Sequence, residues 1–144
     1  MSAPKVDVLA VMDPSHTMVR SLDSAGWQLL SVDIDLCSET ARIELRQEDL
    51  YVTFDARGGK ASITREVMEK ERIRVGRKGD ISVTTRIAPR FIGRHSGLGL
   101  RSGLRFLSHY VADNAAIALS HKEARDIFRP LLSGAALARI GSAS

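Results

Sequence analysis

The residues best suited to chemistry lie between Phe91 and Phe106, in "FIGRHSGLGLRSGLRF". Gly93, Gly97, Gly99 and Gly103 alternate there with Arg94, Arg101 and Arg105. Glycine lets a backbone approach a phosphate closely, and a guanidinium can grip one through two hydrogen bonds. A Walker loop requires Gly-x-x-x-x-Gly-Lys-Ser/Thr, and no such run occurs. A dinucleotide fingerprint requires G-x-G-x-x-G between a strand and a helix. Gly97, Gly99 and Gly103 carry one residue too many, and "LRFLSHYV" after them reads as strand. The stretch is therefore expected to be a basic hairpin loop, with Gly93, Arg94, Gly97, Gly99, Arg101 and Gly103 at its bend.

Other reactive residues do not form a constellation. His16, His95, His109 and His121 are scattered, without metal-ligand spacing. Cys37 has no base beside it in sequence and no second cysteine to pair with. Asp33 and Asp35 share one face of a strand, where carboxylates are usually solvated. No catalytic residue, metal site, cofactor or small-molecule substrate is assigned, and the chain is expected not to be an enzyme.

The elements that would position these residues are mostly strands. "WQLLSVDIDL", "ARIELRQ", "LYVTFDA", "ASITREV", "RIRV" and "ISVTTRI" alternate apolar and polar residues, the period of half-buried strands. "RGGK" and "RKGD" are hairpin turns, and Glu66 to Arg72 reads as a charged turn. The last third changes period. In "SHKEARDIFRPLL", Ala124, Ile127, Phe128, Leu131 and Leu132 form a helical stripe, with Ser120 and Glu123 as a capping box. Pro130 should disturb that helix, and "AALARI" is expected to form a short second one. The expected fold is α+β: an antiparallel β-meander with one or two C-terminal helices on one face. One helix is a narrow cover for so many strands, which predicts a dimer partner lending its own. A single domain of residues 1–144 is expected, with an N-terminal hairpin or arm over 1–26, sheet over 27–112 and helices over 120–140. Whether residues 1–25 are hairpin or helix stays open.

Charge is uneven. The chain has 21 Lys or Arg and 17 Asp or Glu, a net of +4. Residues 42–105 alone carry 15 basic and 8 acidic residues, a net of +7. The polar face of the meander would present Arg42, Arg46, Tyr51, Thr64, Arg72, Arg74, Thr84 and Arg86. Guanidiniums and hydroxyls in that mixture suit phosphates and RNA. No signal peptide and no run long enough to span a bilayer is read, so a cytosolic origin is expected.

The segment "LRFLSHYVADNAAIALSHKEARDIFRPLLSGAALARIG", following a meander and a glycine loop, resembles the coat proteins of small single-stranded RNA bacteriophages. That resemblance implies a homodimer with a continuous sheet, each subunit laying its helices on the other. Ile127, Phe128, Leu131 and Leu132 would then be dimer core. The polar face would look inward at packaged RNA, and the glycine loop from Gly93 to Gly103 would meet its copies in a larger shell. Such a chain would be made in the bacterial cytoplasm and reside in the virion. The expected function is a self-assembling, RNA-packaging capsid protein. The alternative is a small non-enzymatic regulatory protein of phage or bacterial origin that binds nucleic acid or a nucleotide.

Overall fold

The computed structural model describes residues 14–77, 80–133 and 139–140. Five antiparallel strands follow one another: β1 (Gln28–Asp35), β2 (Thr40–Gln47), β3 (Leu50–Arg57), β4 (Lys60–Arg77) and β5 (Asp80–Gly99). Each pairs with the next, and β6 (Arg139–Ile140) borders β1. The helices are α1 (Pro14–Ser24), α2 (Leu100–Asp113) and α3 (His121–Phe128), with a 3-10 turn over Arg129–Ser133. This is the α+β meander, helices following on one side, that the alternation predicts.

Register explains the core. Val32, Ile43, Phe54 and Ile63 are successive cross-strand neighbours, and all are buried. Ile34, Ala41, Ala56 and Ala61 form the next buried row. The β3–β4 turn places Gly58 at φ 57° and Gly59 at φ 80°, the pair of positive angles that a two-residue hairpin of matching twist requires. Full burial of each large apolar side chain contributes about 1.5–3 kcal/mol.

Several expectations are corrected. The "loop" and the strand after it do not exist: β5 continues to Gly99 and a helix begins at Leu100. Leu100, Leu104, Leu107 and Val111 form a buried helical stripe on α2, while Phe106 stays 37% exposed. The helix can lie flat on the sheet because Gly103 has no side chain. A Cβ there would stand 2.7 Å from Phe54 Cε1 and 3.0 Å from Ala61 Cβ. The sheet region therefore ends at Gly99, not at residue 112. The supposed charged turn from Glu66 to Arg72 lies inside the single strand β4.

At the N-terminal end "TMVRSL" is helical, with Met18 and Leu22 buried one turn apart, so residues 14–24 are not a hairpin. "KVDVLAV" lies outside the described residues. The capping box forms as expected: Glu123 N–H donates to Ser120 Oγ at 3.0 Å, and Ser120 N–H to Glu123 Oε1 at 3.1 Å. The α-helix stops at Phe128, and Pro130 falls in the 3-10 turn, where its missing N–H costs less. Of "AALARI", Arg139 and Ile140 pair with β1 instead of extending a helix, and the rest lies outside the described residues.

The chain's own helices cover its sheet. Trp27 is fully buried and donates from Nε1 to the Val111 carbonyl at 3.2 Å. Phe128 and Leu131, expected as dimer core, are 2% and 1% exposed within this one chain. Ile127 and Leu132 are half-buried at the edge of the same core. Within the chain, α1 and α2 supply cover for the sheet's apolar face.

Candidate nucleic-acid interface

β3 stops pairing with β4 at Leu50↔Val67. The β4–β5 ladder runs on, from Met68↔Pro89 to Arg77↔Asp80. Ten residues per strand at about 3.3 Å each make a two-stranded ribbon roughly 30 Å long. None of its described side chains is buried. Residues 68–90 hold seven Lys or Arg and three Asp or Glu, a net of +4. The whole chain is also +4, so the rest of the sequence is balanced.

The ribbon's two faces differ. One carries Glu69 and Glu71 with Arg86 and Arg90. Arg86 Nε lies 3.1 Å from Glu71 Oε2, and Arg90 Nε 2.7 Å from Glu69 Oε1. Both carboxylates are thereby neutralised across the strands. The other face sets Lys70 and Arg72 of β4 opposite Ile87 and Thr85 of β5. Neither Lys70 nor Arg72 makes an ion pair among the described residues. Beside them Val83 is 56%, Ile87 70% and Phe91 58% exposed. That face is cationic and apolar at once.

The sheet's polar face is a weaker candidate. Its cross-strand rows are Asp33, Arg42, Asp55, Ser62; then Ser31, Glu44, Thr53, Thr64, Arg94; then Arg46, Tyr51, Glu66, Phe91. Asp35 at one end and the hairpin pair Arg57 and Lys60 share that face, so five carboxylates stand against five cations. Arg42 Nε pairs with Glu44 Oε1 at 2.9 Å. The Arg46 guanidinium lies 5.4 Å from the Tyr51 ring centroid, and its Nε donates to the Glu48 carbonyl at 2.8 Å.

The expected RNA-contact residues therefore separate. Arg42, Arg46, Tyr51 and Thr64 share the balanced sheet face. Arg72 is on the cationic ribbon face, and Arg74 follows it in register with Val83. Thr84 and Arg86 fall on the opposite face, a correction with a specific cause. The ladder pairs Arg65 with Gly93 but Glu66 with Phe91, leaving Ile92 as an extra residue. One inserted residue exchanges the faces of everything beyond it. Val83, Ile87 and Phe91 are thus turned to Arg72's side, a juxtaposition that plain alternation could not show.

The expected assembly residues also disperse. Arg94 is on the sheet face, its Nε 3.2 Å from Thr64 Oγ1. Gly93 backs onto the Arg65 guanidinium, which itself lies over the Tyr110 ring on the helix side. Gly97 takes φ 82° beside the second ladder irregularity, between Ala61 and Ile63. Gly99 caps α2, with its N–H donating to Ser102 Oγ at 2.9 Å. Arg101 sits on the first turn of that helix and Gly103 is packed beneath it. No group of three metal-ligating side chains occurs among the described residues, and no described helix is long and apolar enough to cross a membrane. No protein-family model, curated protein or solved structure matches the chain.

Proposed function

We propose that the chain is a non-enzymatic nucleic-acid-binding protein whose β4–β5 ribbon is the contact element. The observation that supports this most is the ribbon face on which Lys70 and Arg72, without an ion pair among the described residues, adjoin exposed Val83 and Ile87, with Phe91 beyond them opposite Glu66. Cations there would meet phosphates, and the apolar row would meet sugars and base edges. The major groove of B-form DNA, about 12 Å wide, admits a two-stranded ribbon.

Binding should depend steeply on salt. With roughly four phosphate contacts, affinity would fall about a hundredfold between 50 and 200 mM salt. Fluorescence anisotropy with a labelled 20-base-pair DNA duplex and with a 20-nucleotide RNA, single- and double-stranded, measures this. The variant K70E/R72E should lose at least tenfold in affinity while its circular dichroism stays unchanged. Equal binding by this variant and the parent would sink the reading.

A self-assembling, RNA-packaging coat subunit of a virion is the second reading. The order of meander followed by helices favours it. Joining sheets along β5 would have to avoid Pro89, which has no N–H to offer a partner strand, and the irregularities near Ile92 and Gly97. Gel filtration and electron microscopy separate the two: megadalton particles carrying RNA for a coat, a small RNA-binding species otherwise.

A further inference from the structure

On the opposite side of the molecule from the sheet's polar face, α2 and the segment from α3 through the 3-10 turn border a half-open groove of about 260 Å³. Leu104, Phe128 and Leu132 provide an apolar wall. Arg101 and Arg105, one turn apart on α2, line it from one side; Arg125 and Arg129, also four apart, line it from the other. No carboxylate lines it. Asp126 pairs with Arg129, and Asp113 is engaged by His121.

Like charges at four-residue spacing destabilise a helix slightly, and here two such pairs border one groove. The arrangement is held in place on one side: Arg125 lies 3.0 Å from His109 Nε2, which can accept its hydrogen bond when the imidazole is neutral. Ser108 is fully buried, and its hydroxyl is used on the Arg105 carbonyl at 2.7 Å. The guanidiniums of Arg101, Arg105 and Arg125, and not that hydroxyl, are therefore the polar groups offered to a guest.

We infer that this groove binds a small organic anion, with a phosphate or carboxylate head at Arg101, Arg105 and Arg125, beside the Asp126-paired Arg129, and a compact apolar body against Leu104, Phe128 and Leu132. Guanidiniums recognise both head groups by the same forked hydrogen bonds. The volume suits a single ring, below the range of drug-sized ligands. The site shares no residue with the ribbon, so it stands whether or not the ribbon binds nucleic acid.

Titration with phenyl phosphate, benzoate, inorganic phosphate and phenol, followed by amide chemical shifts on α2 and α3, tests this. Phenyl phosphate or benzoate should bind at least tenfold more tightly than either inorganic phosphate or phenol; whichever of the two is stronger identifies the head group. R105Q and R125Q should each weaken it at least fivefold. R101Q/R129Q, which leaves His109 and its partner untouched, should do the same, and K70E/R72E should bind like the parent. The inference is overturned if inorganic phosphate binds as well as both aromatic anions, if phenol does, or if the arginine variants retain full affinity.

Discussion

Residues 60–67 and 68–77 belong to the same strand, yet they meet opposite fates. In the first, Ala61 and Ile63 are buried beneath α2, and Phe54 and Ala56 flank them on β3. In the second, no described side chain is buried, though apolar and polar residues still alternate on the paired strand β5. Local sequence makes both halves extended. Two things separate them: β3 ends opposite Val67, and the extra residue at Ile92 turns Ile87 to the side away from α2, which lies over Phe54 and Ala61. Apolar residues kept on a bare ribbon between arginines cannot be explained by the chain's own core. The proposed nucleic-acid contact rests on them.

The sharpest way to break this contrast is to delete equivalent apolar groups from both halves. Phe54→Ala opens a cavity at the centre of the four-strand row and should cost about 3–5 kcal/mol in urea unfolding, a large part of the roughly 5–15 kcal/mol of an ordinary domain. Ile87→Ala should change stability by less than about 0.5 kcal/mol, as surface substitutions do. Comparable losses at the two sites would mean that the ribbon is covered in solution, and the contrast would fall.

A smaller effect tests the seam between helix and sheet. Gly103→Val drives methyl groups into the Phe54 ring and should cost about 1–3 kcal/mol, the usual penalty of overpacking. Gly99→Val should be milder, because Gly99 has an extended φ of −82° and a Cβ there would come no closer than 3.4 Å to Ser102 Oγ. If chemical denaturation ranks Gly99→Val above Gly103→Val, then α2 does not lie on the sheet as described.

These same positions show what sequence could and could not tell. β1 to β3, the Gly58–Gly59 hairpin and the Ser120–Glu123 cap were legible because each depends on neighbours a few residues away. α2 was not. In "LRFLSHYV", Leu104 and Phe106 fit a strand as well as Leu104, Leu107 and Val111 fit a helix, and only burial against Phe54 decides. The basic character of the middle was legible, but its location was not. The balancing carboxylates Asp33, Glu44, Asp55 and Glu66 come together on the sheet face only through register. The extra residue at Ile92, which assembles the cationic, apolar ribbon face, leaves no local mark that alternation can read.

The finest test concerns α2 and α3, the cover itself, and it is read through pH. The His109 and His121 rings stack at 4.1 Å, His121 Nε2 lies 2.7 Å from Asp113 Oδ1, and Arg125 NH1 lies 3.0 Å from His109 Nε2. Partial burial, then the His121, Arg125 and Arg105 charges, lower the His109 pKa from its ordinary 6.5, while Asp113 acts in the other direction. The folded chain thus gives up this proton more readily than the unfolded chain. Its contribution to stability is complete above about pH 6.5 and is lost as pH falls through the depressed folded value. Glu123 is likewise lowered from 4.5 by the backbone and side-chain hydrogen bonds at Ser120, so its contribution disappears only at more acid pH. Thermal melts should therefore show a slight fall in Tm below pH 6.5 that H109Q flattens, and a separate fall in the carboxylate range that E123Q flattens. If H109Q keeps the upper drift, the stacked pair does not sense pH. The helices would then be held on the sheet by Leu104, Leu107, Val111 and Phe128 alone, as indifferent to protons as the ribbon is to burial.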